Sequence, residues 1–132
     1  MPEARSALAS TYAVGAFGAT GAPPALVLRE RAPGHLMQIS GWPDSFGAIC
    51  ERITSQVGVR VPVDCLTATT LDDATVFRVG PTRLWLVCAG DSGRRLCDAV
   101  ATFDARDAVV TEIGHSRTVI RVSGPGARTL LN

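Results

Sequence analysis

The sequence predicts an α+β fold of mainly antiparallel strands with two or three short helices. Three observations carry that expectation. CLTATT (65–70), ATVFRV (74–79) and RLWLVCA (83–89) are strand-like runs in direct succession, and strands joined by short connections pair antiparallel. Two other stretches switch to the spacing of a helix face. The order is strand, strand, helix, three strands, helix, two strands, helix, which is not the strict βαβαβ winding of a parallel sheet.

Taken in order, residues 1–24 are rich in Ala, Gly and Pro without a steady period, which predicts an extended or mobile arm ending at Pro23-Pro24. Residues 25–132 are expected to form a single α+β domain. ALVLRE (25–30) and HLMQIS (35–40) flank a Pro-Gly turn signal and are expected to make a hairpin. Phe46, Ile49, Cys50, Ile53 and Val57 then line one helix face, with Asp44 placed to cap its start and Gly58 to stop it.

After the three central strands, Leu96, Ala99, Val100 and Phe103 define a second helix over Asp91 to Phe103. AVVTEI (108–113) and RTVIRVS (117–123) are expected to pair as a hairpin around Gly114-His115-Ser116. A third helix should open at Pro125, since proline has no N–H to lose at the first helical position. Ser123-Gly124-Pro125-Gly126 reads as a tight corner. Pro125 removes a backbone donor, and neither GxGxxG nor GxxxxGK[ST] occurs, so it makes a poor phosphate cradle.

Composition narrows the chemistry. All 13 basic residues are arginine, so a Schiff-base amine, a pyridoxal phosphate anchor and a P-loop lysine are excluded. A net charge of +1 with 46% apolar residues describes a compact globular chain and indicates neither nucleic acid nor a charged membrane as partner. The early charges Glu3 and Arg5 and the lack of a long apolar run argue against a signal peptide or a membrane span, which predicts a cytoplasmic protein. Cys50, Cys65, Cys88 and Cys97 form no CxxC pair and are expected to be buried free thiols. His35 and His115 lack the spacing of paired metal ligands.

No catalytic, cofactor-binding or metal-ligating residue is therefore assigned. Ser116 beside His115 is a weak nucleophile–base candidate, because neighbours in a turn seldom face each other. Asp72-Asp73 reads as a solvated loop. Trp85, inside an apolar run, is expected in the core. Trp42, between Gly41 and Pro43 at a strand-to-helix corner, is expected to be partly exposed and is a candidate interface anchor. Arg117 and Arg121 share a strand face by the period of two, with Thr118, Ile120 and Val122 turned inward, so the two arginines are the other candidate interface residues.

VTEIGHSRTVIRVSGPGARTLLN, VFRVGPTRLWLVCAG, and the opening order of Arg5-Ser6-Ala7-Leu8, VLRE and HLMQISGWPDSF together resemble the gamma subunit of heterotetrameric sarcosine oxidase over nearly the whole chain. The most specific block runs from Arg117 to Leu131. The resemblance implies a fold like part of the folate-binding domain of the aminomethyltransferase (T-protein) family, with the C-terminal part of that domain lacking. It also implies a non-catalytic role beside alpha, beta and delta subunits. Flavins, NAD and tetrahydrofolate would then sit on those partners and no cofactor on this chain. The implied reaction takes sarcosine, tetrahydrofolate and oxygen to glycine, methylenetetrahydrofolate and hydrogen peroxide.

One departure concerns the central hairpin. Where the family reads like Leu-Gly-Pro-Asp-Glu-Trp-Leu, this chain has Val79-Gly80-Pro81-Thr82-Arg83-Leu84-Trp85, and a tryptophan one place later faces the other side of a strand. Two rival expectations remain. One is a free-standing folate-binding or aminomethyltransferase-like module, and the other is a structural module of another oxidoreductase acting on N-methyl amines.

Overall fold

The computed structural model describes residue 6 and residues 8–17, 23–32 and 34–132. The arm expected over 1–24 lies partly outside the described residues. Its described part includes a turn in which the Thr11 and Tyr12 amides donate to Leu8 O at 2.9 and 2.7 Å.

The elements are β1 (Val27–Arg31), β2 (His35–Gly41), α1 (Phe46–Val57), β3 (Thr67–Leu71), β4 (Ala74–Gly80), β5 (Arg83–Cys88), α2 (Gly90–Ala101), β6 (Ala108–Glu112), β7 (Val119–Ser123) and α3 (Ala127–Leu131), with a 3-10 turn at Gly114–Ser116. They fall into two compact units, Pro33–Ser116 and the pair of segments Met1–Ala32 and Arg117–Asn132.

The larger unit is a five-stranded antiparallel sheet in the order β3-β4-β5-β2-β6. Alternation along its strands sends Met37 and Ile39 of β2, Ala74 and Val76 of β4, and Leu84, Leu86 and Cys88 of β5 to one face. There they form one core with Phe46, Ile49, Ile53 and Val57 of α1 and Leu96 and Ala99 of α2. Full burial of such aliphatic side chains stabilises by roughly 1.5–3 kcal/mol each, so this face holds the sheet and its helices together.

The helix readings hold with small shifts at the ends. Ser45 rather than Asp44 occupies the N-cap position of α1, and its hydroxyl donates to Asp107 O at 2.7 Å instead of capping the helix. Gly58 ends α1 as expected, with φ 88° and its N–H on Thr54 O. The second helix runs Gly90–Ala101, so Phe103 lies beyond it and packs on the core from the following turn. Arg78 clamps the loop before β3. Its guanidinium donates to Pro62 O, Val63 O and Pro81 O and lies 5.1 Å from the centre of the Phe46 ring.

Both expected flanking hairpins are absent, and the cause is the same. β2 is paired on one side by β5 and on the other by β6, so it has no edge left for β1. β1 pairs instead with β7, as Val27↔Ser123 through Arg31↔Val119, and β6 is therefore not β7's partner. Trp85 corrects a third expectation. It is only partly buried, and the core positions of β5 are its neighbours Leu84 and Leu86, as the one-place shift of the tryptophan implies. Its Nε1 donates to Gln38 Oε1 across the β2–β5 ladder at 2.9 Å.

The smaller unit is the two-stranded β1–β7 ribbon followed by α3. Helix α3 starts at Ala127, two residues after Pro125. The corner before it requires glycine, since Gly124 has φ +109° and a Cβ there would come within 2.5 Å of Ala25 O. None of the described residues of this unit is buried.

Candidate functional site

Two places in the molecule are candidate sites, one in each unit. The first is a cleft of about 540 Å³ lined by Trp42, Asp44, Ser45, Ile49, Arg52 and Phe103, together with Ala48, Arg106 and Asp107. Trp42 leaves β2 and enters the first turn of α1, where its carbonyl accepts the Phe46 amide at 2.9 Å. The backbone is thus pinned while the side chain is 57% exposed, in line with the partial exposure expected at that corner. Opposite it, the Arg52 guanidinium lies 5.3 Å from the Phe103 ring centre and donates Nη1 to Thr102 O at 3.2 Å.

Charge in the cleft is partly committed. Arg106 Nε and Nη2 bind Asp104 Oδ1 and Oδ2 at 3.2 and 3.1 Å, and the Arg106 amide adds a third bond to Oδ1. These hydrogen bonds, the side-chain ones foremost, hold the Asp104 carboxyl below its ordinary range. Arg52 makes no ion pair among the described residues. The cleft can therefore hold a flat or apolar group against Trp42, beside a guanidinium that is hydrogen-bonded to Thr102 O but carries no ion pair among the described residues.

The second place is the ribbon. Register sets Arg29 directly opposite Arg121 and Arg31 opposite Val119, while Leu28 faces Val122 and Glu30 faces Ile120. One face thus carries Arg29, Arg31 and Arg121, and the other carries Leu28, Ile120 and Val122 around Glu30. Ile120 is 51% and Leu28 55% exposed, so the inward packing expected for Ile120 is not found. A ribbon of two strands has no second layer to bury a face against. Arg117 is exposed but precedes β7, so the strand period does not place it beside Arg121. Arg29 and Arg31 were not singled out by sequence reasoning. The alternation in VLRER gives their face, but only the long-range pairing with β7 sets them beside Arg121.

The remaining candidates separate cleanly. Ser116 Oγ donates to Ile113 O at 2.9 Å. Asp72 and Asp73 are exposed in the β3–β4 turn, as expected. Of the cysteines only Cys88 is buried, and Cys65 is exposed, which corrects the expectation of buried thiols throughout. Burial, reinforced by the Asp73 charge, pushes the Cys88 thiol up to about 11. Cys97 Sγ comes within 3.6 Å of His35 Nδ1, a contact across 62 positions that sequence spacing could not reveal. Among the described residues no carboxylate orients that imidazole, and no three His, Cys, Asp or Glu side chains gather as a metal site. No helix among them is long and apolar enough to cross a membrane.

No family model matches the sequence, and no curated protein matches it. The fold matches a chain of heterotetrameric sarcosine oxidase from Corynebacterium sp. U-96, solved in complex with pyrrole 2-carboxylate, with a TM-score of 0.60 and 20% identity over 80% of this chain and 53% of that one. The chain thus spans about half the length of the sarcosine oxidase chain it matches. At that identity the likeness is one of fold: a mixed α+β chain of antiparallel sheets and three helices whose structural neighbour is a sarcosine oxidase chain.

Proposed function

We propose that this chain is a non-catalytic, gamma-type subunit of a sarcosine-oxidase-type complex, lending surface to alpha, beta and delta partners that carry flavins, NAD and tetrahydrofolate and perform the oxidation of sarcosine. The observation that carries the reading is the uncovered ribbon: β1, β7 and α3 expose Leu28, Ile120, Leu130 and Leu131 at 50% or more with no buried residue of their own. Clustered apolar exposure of this kind marks a surface that another chain covers. The fold likeness to a chain of a heterotetrameric enzyme supplies the class of complex.

Co-expression with alpha and beta subunits tests the reading. Arg117→Glu with Arg121→Glu should abolish co-purification, while sarcosine turnover per assembled complex stays unchanged. Cys97→Ser and His35→Ala, which remove the nearest thiol–imidazole contact, should leave both assembly and turnover intact. Intact assembly with turnover lowered about 100-fold, the scale of lost acid–base help, would contradict a non-catalytic role.

The rival reading, a folate-binding or aminomethyltransferase-like module, draws support from the Trp42 cleft, where aromatic rings lie near Asp44 and Asp107. It predicts saturable quenching of tryptophan emission by tetrahydrofolate, lost in Trp42→Ala. The subunit reading predicts none.

A further inference from the structure

The ribbon carries a pattern that specifies its partner's chemistry. Arg29 and Arg121 stand directly opposite each other across the ladder, where like charges destabilise a strand pair, and Arg31 lies two residues along on the same face. All three are exposed, and none makes an ion pair or a side-chain hydrogen bond among the described residues. The opposite face presents Leu28 and Ile120 exposed and Val122 half-buried, with Glu30 standing opposite Ile120.

Each strand pairs only with the other among the described strands, and the two differ in the side chains they set beside an incoming strand. On β1, Glu30 is already engaged, since Ser6 Oγ donates to its carboxylate at 2.6 Å. β7 pairs only with β1 among the described strands, so its outer edge offers a row of backbone donors and acceptors. An incoming strand there would meet a basic residue and apolar residues on alternate faces.

We infer that the outer edge of β7 receives an extended segment of a partner protein in which acidic and apolar residues alternate. This rests on the reading of the ribbon as a docking surface and deepens it by naming the partner's sequence chemistry. Main-chain bonds to β7 supply the attachment. Carboxylates of the segment settle over Arg121 and Arg29 and relieve their mutual repulsion, and its apolar side chains cover Ile120 and Val122. A general polyanion would satisfy the arginines but leave Ile120 and Val122 bare, so a protein strand is the better match.

The experiment uses the full chain, labelled for NMR, with three probes: a nonapeptide alternating Glu and Val, the same residues arranged in two blocks, and a peptide alternating Lys and Val. The alternating Glu peptide should shift amide signals of residues 27–31 and 119–123 and bind at least about tenfold more tightly than the other two. Arg29→Glu with Arg121→Glu should reverse the preference toward the Lys peptide. Equal binding of the Glu and Lys peptides at the ribbon overturns the acidic partner while leaving the ribbon a docking surface. Shifts elsewhere only, or none up to about 1 mM peptide, overturn the strand addition itself. A single-stranded oligonucleotide binding as tightly as the Glu peptide would also overturn it, in favour of simple charge attraction. Failure of the subunit reading shows separately, as an absence of co-purification with alpha and beta subunits by the unmodified chain.

Discussion

The unit Pro33–Ser116 and the unit built on β1 and β7 are made from the same kinds of residues and reach opposite outcomes. Every buried apolar side chain described lies between Leu36 and Ala108, whereas the ribbon unit has apolar residues and none of its described residues is buried. The difference is one of layers rather than composition. Five strands with two helices on one face enclose Ile39, Ile53, Leu84, Leu86 and Leu96 completely, while two strands cannot enclose Leu28 or Ile120. The larger unit thus has a core of its own, the smaller has none among its described residues, and it is on the smaller that the proposed docking surface lies.

The largest effect that can break this contrast comes from side-chain truncation. Leu86→Ala should lower the stability of the larger unit by about 3 kcal/mol, since the removed atoms leave a cavity in a closed core. Ile120→Ala, at a half-exposed site, should change it by less than about 1 kcal/mol. Urea unfolding followed by tryptophan emission, both tryptophans lying in the larger unit, measures both, and similar losses for the two variants would mean that the ribbon shares in a common core.

Backbone strain sharpens the same contrast. At Gly34 (φ +68°) a Cβ would lie 2.5 Å from Cys88 O, and at Gly124 (φ +109°) it would lie 2.5 Å from Ala25 O. Gly34→Ala should cost the larger unit roughly 1–3 kcal/mol. Gly124→Ala should loosen the β1–β7 pairing by a similar amount and leave the urea transition of the larger unit in place. Joint loss in both variants would contradict the separation of the units.

How much of this was legible in the sequence follows from the range of the contacts. The β3–β4–β5 meander, both main helices and the Gly58 stop are written in local period and turn residues. The β1–β7 pairing, which joins Val27 to Ser123, and the seating of β6 against β2 depend on competition for edges, which no local signal encodes. Of the site, the exposure of Trp42 was readable from its Gly-Trp-Pro corner. The Arg29–Arg121 pair was not, because only tertiary pairing sets those residues opposite each other. Arg117 was drawn in by a strand period that the structure begins two residues later, at Val119.

A smaller effect distinguishes the enclosed side from open surface by pH. Cys88 is raised from an ordinary 9.0 to about 11, so the folded chain keeps a proton that the unfolded chain releases between those values. Stability from this group is complete below pH 9 and declines as pH rises toward 11. Cys88→Ala should remove that part of the alkaline slope, and an unchanged slope would place its origin elsewhere. The smallest effect lies in the ribbon. Arg121→Glu converts the like-charge pair with Arg29 into an opposite-charge one, which should stabilise the free ribbon by roughly 0.2–1 kcal/mol and slow its amide exchange a few-fold.

Native-state hydrogen exchange on the isolated chain tests the division most directly, because it reads the opening free energy of each strand separately. Amides of β2 and β5 should exchange only through unfolding of the larger unit, and those of β1 and β7 through local opening, faster by several orders of magnitude. Equal protection of β1, β7 and β2 would contradict the account, since it would show that the ribbon is already held by a core of its own.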